Sequence, residues 1–259
     1  MAQVRAKKNL GQHFLTDNHV ACRIVESLTS NIPNVLEIGP GMGVLTQYLF
    51  QSEAYTTIAL DIDIESIDYL KNKYPEHSSQ IIHGDFLCAD LSTFFGEEPF
   101  AVIGNFPYNI STQILFRILQ FKNQVPEVVG MFQKEVAMRI AAPPGSKTYG
   151  ITSVLLQSYY DIEYLFTVDE HQFAPPPKVK SAVIRLTRNN VEKLDCDEVL
   201  FVKLVKAAFN QRRKMMRNSI KSFCPETGFS HPFLEKRPEQ LSVGDFILLT
   251  NLISLAQCK

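Results

Sequence analysis

An alternation between short apolar runs and helical patterns constrains the fold of this chain more than any other feature. Five runs have the length and β-branched composition of buried strands, at residues 34–38, 56–60, 80–83, 100–103 and 128–132. Segments with helical periodicity lie between and after them, at residues 44–51, 64–73, 112–121 and 134–141. Strands that alternate with helices predict an α/β fold with a mostly parallel sheet and helices on its faces.

The chain after residue 150 predicts the edge of this sheet. A helical pattern begins at Ile151, and the apolar runs at 162–167 and 181–186 are predicted to be two late strands, paired antiparallel at the edge. The three consecutive prolines at 175–177 fit neither a strand nor a helix, so they predict a rigid extended loop between these strands.

The residues after 188 predict a small helical domain with a basic surface. Residues 189–197 are polar and typical of a linker, and a helical pattern follows, so we expect two domains, 1–188 and 189–259. Residues 201–221 contain seven bases and no acid, although the whole chain has a net charge of −1. This asymmetry favours RNA or DNA contact over a merely solvated helix. The candidate phosphate contacts are Lys206, Arg212, Arg213, Lys214, Arg217 and Lys221.

Cysteine usage and hydropathy indicate a cytoplasmic protein. The five cysteines form no C-x-x-C pair, which predicts neither a zinc site nor a disulfide framework and fits a reducing cytosol. The first fifteen residues contain bases but no apolar signal region, and residues 246–256 are expected to be a core helix, not a membrane span. Arg5, Lys7 and Lys8 are predicted to form a mobile arm that can touch phosphate. No apolar heptad pattern is visible, so a monomer is the default.

A glycine turn follows the first predicted strand, in the sequence EIGPGMG that starts at Glu37. Gly39 and Gly41 in this turn allow a tight bend and a close approach to a ligand. The G-x-G-x-G spacing differs from that of nicotinamide-binding proteins and favours a nucleoside with a methionine tail, such as S-adenosylmethionine. Asp61 ends the next strand and can accept hydrogen bonds from both ribose hydroxyls. The alternative is a plain strand–helix turn with an acid at the helix entry.

Two further strand ends carry candidate site residues. Asp85 follows the third strand, where its carboxylate either holds an adenine amino group or caps a turn. Asn105-Phe106-Pro107-Tyr108 follows the fourth strand, at the edge where open α/β sheets bind ligands. The Asn105 oxygen and the Phe106 carbonyl can accept from an exocyclic amino group, while Pro107 stiffens the loop and Tyr108 stacks on the base. An ordinary turn is the alternative.

Phe173, just before the prolines, is a candidate for the second aromatic face around an extruded base. A buried anchor for the loop is the alternative interpretation of this residue. We expect no metal ion at the site.

Together these segments resemble the ribosomal RNA adenine dimethylases, and within them the bacterial branch that acts on the small subunit. The resemblance runs over nearly the whole chain and rests on an ordered set of motifs. They are GQHFL from Gly11, EIGPGMG from Glu37, GDFL from Gly84, GNFPYNIS from Gly104, FAPPPKVKSAV from Phe173, RRKMMRNSIK from Arg212 and RPEQLSV from Arg237.

The resemblance implies a Rossmann-like methyltransferase domain with a helical rRNA-binding domain, and S-adenosylmethionine as the methyl donor. It implies dimethylation of two adjacent adenosines near the 3′ end of 16S rRNA, within an immature 30S subunit. Residue by residue, the implied cofactor contacts are His13, Leu15, Gly39, Gly41, Asp61, Asp85 and Asn105. The implied surroundings of the target base are Asn105, Phe106, Pro107, Tyr108 and Phe173.

Three residues depart from the pattern of the family. His13 stands where Asn is usual, Asp61 replaces the commoner Glu and Phe106 the commoner Leu. At position 13 a backbone contact with the cofactor can persist with any side chain. Asp61 keeps both acceptor oxygens of a carboxylate, and Phe106 is expected to act through its carbonyl. The alternatives are a 23S rRNA methyltransferase of the resistance type and a mainly non-catalytic small-subunit assembly factor. A DNA adenine methylase is disfavoured because those enzymes usually have a second proline where this chain has Phe106.

Overall fold

The computed structural model describes residues 4–225 and 229–257, and it divides into two compact units. The first unit contains the chain up to Ala137 together with Asp161–Arg188, and the second contains Met138–Tyr160 and the described residues from Asn189 onward. The segment Met138–Tyr160, which the sequence analysis placed in the first domain, therefore belongs to the helical unit. Its helix packs on the long helix that follows Asp197, a long-range pairing that no local pattern reveals.

The first unit is built on a twisted sheet that is mostly parallel. The strands are β1 (Phe14–Leu15), β2 (Asn34–Ile38), β3 (Thr56–Asp61), β4 (Ile81–His83), β5 (Ala101–Asn105), β6 (Glu127–Gln133), β7 (Tyr160–Val168), β8 (Phe173–Ala174) and β9 (Ser181–Arg188). Among the described residues, seven strands pair in the order β4-β3-β2-β5-β6-β9-β7. The pairs from β4 to β6 are parallel and β9 is antiparallel to β6, so the two late strands lie at one edge, as predicted.

Helices cover the sheet and form the second unit. They are α1 (Asn18–Val25), α2 (Thr46–Gln51), α3 (Ile64–Lys73), α4 (Ser92–Phe95), α5 (Ser111–Gln120), α6 (Lys134–Ile140), α7 (Ile151–Gln157), α8 (Glu198–Asn210), α9 (Met216–Ser219) and α10 (Val243–Gln257). Asp17, Asp63 and Asp197 begin α1, α3 and α8, each accepting a hydrogen bond from a backbone N–H of the first turn. These caps fix where the helices start.

The central strands are apolar because helices cover both of their faces. Val35 and Leu36 of β2 point to opposite faces of the sheet, and both are fully buried, as are Val102 and Ile103 of β5. Such strands appear in sequence as continuous apolar runs, which is why their positions were predicted within one or two residues.

A two-stranded ribbon of β1 and β8 was not predicted. Phe14 lies opposite Ala174 and Leu15 opposite Phe173 in antiparallel register. Thr16 extends the pairing by donating from its N–H to the carbonyl of Gln172 at 2.8 Å. Two-residue strands show no periodicity, so sequence gives no signal for them. The ribbon ties the amino-terminal segment to the proline loop.

The helical unit has its own apolar core. Phe201 and Leu204 of α8 are buried, and so are Phe246 and Leu249 of α10. The Phe209 ring lies 6.0 Å from the ring of Phe246, a contact that joins these helices. The stretch 246–256 is thus part of a core helix, as predicted. In the described part of the chain, no helix has both the length and the apolar character needed to span a membrane.

Glu127 is a fully buried carboxylate at the start of β6 that fixes the segment between α1 and β2. It accepts hydrogen bonds from the backbone N–H and hydroxyl of Thr29, at 3.0 and 2.8 Å, and from those of Ser30, at 3.0 and 2.6 Å. Four donors satisfy the buried charge, and they hold the chain that leads into β2.

We predict that Glu127→Ala lowers the free energy of unfolding by about 2–3 kcal/mol, because it removes a fully buried acceptor that holds Thr29 and Ser30 through four hydrogen bonds. Urea unfolding followed by circular dichroism measures this loss. Glu53→Ala is the control, since Glu53 is exposed and should change stability by less than about 0.5 kcal/mol. Equal effects of the two substitutions would show that Glu127 does not hold the fold.

Candidate active site

A cleft opens at the carboxyl edge of the parallel strands in the first unit. It encloses about 950 Å³, which includes open space at its mouth. Its walls come from residues 10–14, the glycine turn, residues 60–62, residues 84–87 and residues 105–110. Because β2, β3, β4 and β5 are parallel, the segments that leave their carboxyl ends meet at this one edge.

The three glycines of the turn serve two different purposes. All have positive φ values, +69° at Gly39, +55° at Gly41 and +79° at Gly43. A Cβ at Gly41 would lie 2.9 Å from the Phe14 ring, and one at Gly43 would lie 2.7 Å from Leu70, so these two glycines are required by packing. A Cβ at Gly39 would meet only Pro107, at 3.8 Å, and would project into the cleft. Gly39 is therefore the position where the backbone can approach a ligand.

Asp61 at the end of β3 is 6% exposed and faces the cleft. One carboxyl oxygen accepts from the N–H of Asp63 at 2.9 Å, and the other accepts from the N–H of Gly41 at 3.1 Å. Burial raises the pKa of this carboxyl, although the two N–H donors act in the opposite direction. Each oxygen keeps a lone pair for a ligand, so the carboxylate suits a pair of hydroxyl donors.

Glu37 is a buried acid beside the site to which the sequence analysis gave no role. It is 1% exposed, at the carboxyl end of β2, and accepts a hydrogen bond from the Thr46 hydroxyl at 2.7 Å. Burial raises the pKa of Glu37 to about 8, and the nearby Asp61 charge adds to the shift. It lines a smaller pocket that adjoins the cleft, together with Leu15 and Gly39. Leu15 therefore faces this side pocket from β1.

The turn interpretation of Asp85 is confirmed, and its contact with an adenine amino group stays a prediction. Its Oδ1 accepts from the N–H of Leu87 at 2.9 Å, which is a turn contact, and the residue also lines the cleft. The turn holds the carboxylate at the far end of the cleft from Asn105, beside Phe86 and Leu87.

The orientation of the Asn105 amide is fixed by a backbone carbonyl. Its Nδ2 donates to the carbonyl oxygen of His13 at 2.9 Å. A carbonyl can only accept, so the NH₂ group must face His13, and the amide oxygen is left to accept from a ligand. The structure thus provides the acceptor that the sequence analysis required of Asn105.

Phe106 contributes its backbone and not its ring. The ring is fully buried and packs edge-on against Phe132 with centroids 5.1 Å apart, close to Gly104 and Gly130. Its N–H donates to the carbonyl of Met131 at 3.2 Å, which fixes the start of the loop. Pro107 follows and lines the cleft opposite Gly39.

Tyr108 lies on the wall of the cleft, whereas Phe173 is buried in the core. Tyr108 lines the cleft, and its hydroxyl pairs with the hydroxyl of Ser181 at 2.5 Å. Phe173 is 3% exposed and packs in the apolar core with Leu15 and Val168. The structure therefore places Phe173 as the buried anchor of the proline loop and not on the cleft wall, because its pairing in β8 turns the ring inward.

The amino-terminal segment is anchored across the cleft, contrary to the predicted mobile arm. Lys7 forms an ion pair with Asp63 at 2.6 Å, and Gln12 donates to the other oxygen of Asp63 at 3.0 Å. Asp63 is 2% exposed. Burial acts to raise the pKa of Asp63, but the hydrogen bonds from Lys7 and Gln12 outweigh it, so the pKa lies below its ordinary value. Residues 8–13 are thereby held over the cleft that Asp61 faces.

The basic segment of the second unit is less free than its sequence indicates. The predicted basic helix ends at Asn210, and residues 211–215 form a turn before α9. Arg217 makes two hydrogen bonds to Glu235, at 2.8 and 2.7 Å. The Arg212 Nη2 donates to the carbonyl of Ser146, and its Nε lies 3.8 Å from Glu239. Acids from outside the segment thus pair with two of the candidate phosphate contacts.

The remaining candidates are exposed. Lys206, Arg213, Lys214 and Lys221 all lie at the surface, and within residues 4–225 and 229–257 none of them forms an ion pair. Together with the exposed Lys203, these four are the described bases of the segment that stay available to a polyanion.

Among the described residues, neither the cysteines nor possible metal ligands add a further group to the site. Four cysteines within the described residues are free, and Cys258 lies outside them. Burial, with the acids on either side, raises the pKa of the Cys196 thiol to about 11, so it stays protonated. Among the described residues, no three His, Cys, Asp or Glu side chains are grouped so that they could hold a metal ion.

The sequence matches a known family. The family described as ribosomal RNA adenine dimethylase matches residues 3–253 of this chain. The chain belongs to the ribosomal RNA adenine dimethylase family. It is an S-adenosylmethionine-dependent methyltransferase with a Rossmann-like fold and a helical carboxy-terminal part.

One relative supports this membership, and two solved structures share the fold. Ribosomal RNA small subunit methyltransferase A from Cytophaga hutchinsonii is 60% identical over 257 residues, which cover 98% of this chain and 99% of the relative. A dimethyladenosine transferase from Plasmodium falciparum superimposes with a TM-score of 0.75 at 23% identity, over 93% and 98% of the two chains. The 23S rRNA methyltransferase ErmE superimposes with a TM-score of 0.68 at 24% identity, over 92% and 99%. The last two show a shared fold alone.

The described residues fit the cofactor of this dimethylase family. A ligand that approaches Gly39 meets backbone without a side chain, and Asp61 presents two oxygens from a buried position. Asp85 supplies a further acceptor at the far end of the cleft. No site role was predicted for Glu37, Phe14 or Asp63, and Lys7 was predicted only as part of a mobile arm. The motifs EIGPGMG and GQHFL, which contain Glu37 and Phe14, were the available signals.

We predict that Gly39→Ala weakens S-adenosylmethionine binding at least tenfold, about 1.4 kcal/mol, because the added methyl group projects into the cleft. Isothermal titration calorimetry measures the affinity. Gly145→Ala is the matched control: its φ is +85°, no heavy atom lies within 4 Å of the new Cβ, and it shares the left-handed strain without touching the cleft. The control should bind like wild type, and equal affinities for all three proteins would show that the cofactor does not contact Gly39.

Proposed function

We propose that this dimethylase transfers methyl groups to the N6 atoms of two adjacent adenosines near the 3′ end of 16S rRNA, within an immature 30S subunit. The proposed reaction rests on the fixed Asn105 amide, because its free oxygen lies at the strand end next to Gly39. The choice of the small subunit rests on a ribosomal RNA small subunit methyltransferase A that is 60% identical over nearly the whole chain.

The cofactor is proposed to lie along the strand ends. S-adenosylmethionine supplies an electrophilic methyl group on a sulfonium sulfur. Gly39 leaves room for its methionine part, Asp61 accepts hydrogen bonds from its ribose hydroxyls, and Asp85 accepts one from its adenine amino group. The side pocket formed by Leu15 and Glu37 lies beside Gly39, so this end of the cleft is apolar on one wall and acidic on the other.

The target amino group is a poor nucleophile because its lone pair is delocalised into the adenine ring. The Asn105 oxygen and the Phe106 carbonyl are proposed to accept its two N–H bonds, which favours a pyramidal nitrogen with an available lone pair. Tyr108 stacks on the base and fixes its plane. Orientation and electrostatics then provide the rate enhancement, and the nitrogen releases its proton to solvent after the transfer.

The exposed bases of the second unit are proposed to bind rRNA phosphates. Phosphate contacts position a protein without reading sequence, so specificity comes from the shape of the rRNA and from the extruded adenosine itself. The monomeric state and the cytoplasmic location stay predictions from the sequence.

We predict that Asn105→Ala lowers the single-turnover rate of methylation at least a hundredfold, about 2.7 kcal/mol, while particle binding stays within twofold of wild type. Unmethylated small subunits and radiolabelled cofactor provide the assay. Asn72→Ala is the control, since Asn72 is an exposed amide on α3 outside the cleft. A rate within threefold of wild type for Asn105→Ala would exclude the proposed role.

Primer extension on rRNA from a deletion strain separates the candidate substrates. Loss of the adenosine stops near the 3′ end of 16S rRNA supports the proposal, whereas a change in 23S rRNA would support the resistance-type alternative. Complementation with the Asn105→Ala protein addresses the assembly-factor alternative, which predicts that subunit maturation recovers fully without methylation.

We predict that simultaneous Lys206→Glu, Arg213→Glu and Lys214→Glu substitutions raise the dissociation constant for the small-subunit particle at least tenfold at low salt. They should also reduce the slope of log K against log salt by about three, because each base that neutralises a phosphate releases counterions. S-adenosylmethionine affinity should not change. Arg212 and Arg217 are left intact because their loss would break ion pairs inside the unit.

Lys193→Glu is the control for charge reversal, since Lys193 is exposed in the linker before α8. It should change particle affinity by less than twofold. If the triple variant behaves like Lys193→Glu at two salt concentrations, the basic surface is only a solvated face.

A further inference from the structure

Tyr108 is held at both ends of its side chain by residues from distant parts of the chain. Its hydroxyl pairs with the hydroxyl of Ser181, which is fully buried at the start of β9. Its ring stacks on the imidazole of His13, with centroids 5.4 Å apart and the planes inclined by 27°. Burial raises the pKa of the Tyr108 phenol, so the hydroxyl stays protonated and able to donate.

The His13 side chain lies against Tyr108 and the proline loop. Its Nδ1 is 2.8 Å from the carbonyl oxygen of Pro175, in the proline loop. Because a carbonyl only accepts, Nδ1 must carry the proton, and this fixes the ring against the loop. Its own carbonyl accepts from Asn105. One residue thus contacts the proline loop, the aromatic ring and the amide.

We propose that His13 and Ser181 are positioning residues that hold the Tyr108 ring in the plane on which the target adenine stacks. This inference rests on the proposed function and deepens it, since it assigns the His13 side chain to the nucleic-acid substrate and not to S-adenosylmethionine. His13 covers one face of the Tyr108 ring, so the adenine stacks on the other face. Ser181 prevents the ring from swinging about its Cα–Cβ bond.

The physical reason is preorganisation. A tyrosine side chain that is free to rotate must be ordered when the base arrives, and that cost reduces the population of the reactive geometry. A ring already fixed by a hydrogen bond at its tip and by an aromatic partner on its face avoids the cost. The effect falls on the chemical step, because particle affinity is supplied by phosphate contacts elsewhere.

Two substitutions at residue 13 separate the two side-chain contacts. In His13→Asn the amide nitrogen occupies the position of Nδ1 and can still donate to Pro175, but the ring is lost. In His13→Phe the ring remains and the donor is lost. The backbone carbonyl that orients Asn105 is present in both variants. We expect kcat to fall about tenfold in His13→Asn, which corresponds to about 1.4 kcal/mol, and clearly less in His13→Phe.

Ser181→Ala releases the other end of the tyrosine and should lower kcat by a similar factor. In all three variants we expect the dissociation constants for S-adenosylmethionine and for the particle to stay within twofold of wild type. Thr16→Val is the matched control, since it removes a side-chain hydrogen bond to Gln172 from the same ribbon without touching Tyr108. The control should keep the wild-type kcat.

A measurement without turnover keeps this test separate from the proposed function. In protein labelled with 3-fluorotyrosine, the fluorine resonance of Tyr108 is assigned by its absence in Tyr108→Phe. We expect one sharp resonance in wild type and Thr16→Val, and broadening or splitting in His13→Asn and Ser181→Ala.

An unchanged resonance in both variants overturns the proposal. A loss of S-adenosylmethionine affinity in His13→Asn with kcat unaffected also overturns the proposal, because that result would assign the His13 side chain to the cofactor. Absence of activity in wild type, with the resonance changes intact, would contradict only the proposed function.

Discussion

The parallel pairing of β2 between β3 and β5 is the constraint on which the rest of this structure depends. It brings the ends of three strands to one edge, and with them the glycine turn, Asp61 and Asn105. The pairing is possible because the central strands are apolar on both faces and are covered by helices. The polar residues of the site lie at the ends of the strands, so the groups that bind a ligand do not interrupt the apolar core. A shift of one strand by a single residue would turn its site residue to the opposite face of the sheet.

The amino-terminal segment converts this open edge into a cleft. Lys7 and Gln12 join it to Asp63 on one side, and His13 joins it to Asn105 and Pro175 on the other. The anchors to Asp63 and Asn105 are partly shielded from water, where such contacts are stronger than at an open surface, and the contact with Pro175 is exposed. The acids of the site therefore have different tasks. Asp63 is kept ionised by its partners, whereas burial holds Glu37 largely protonated near neutral pH.

The sequence predicted the strands of the sheet, the glycine turn and the polar strand ends because each is a local pattern. The run at 34–38 is a strand by composition alone, and Asn105 stands at a strand end whichever partner it finds. It could not predict what depends on contacts between distant residues. The β1–β8 ribbon is too short for periodicity, Phe173 turns inward only because it pairs with Leu15, and Arg217 is neutralised by Glu235 from beyond the basic segment. The placement of residues 138–160 in the first domain was wrong for the same reason, since the structure assigns them to the helical unit.

The tie between His13 and Pro175 joins positions that are 162 residues apart. On a translating ribosome the amino-terminal segment emerges first, but its partners in the proline loop emerge only after most of the methyltransferase unit has been made. The core strands from β2 to β6 can pair before then, since they are contiguous in sequence. The nascent chain therefore has a sheet before it has a closed site, and the Asn105 amide acquires its orientation late. The site can therefore close only after Pro175 has been synthesised, because its closing contacts join β1 to β8 and to the loop that follows β8.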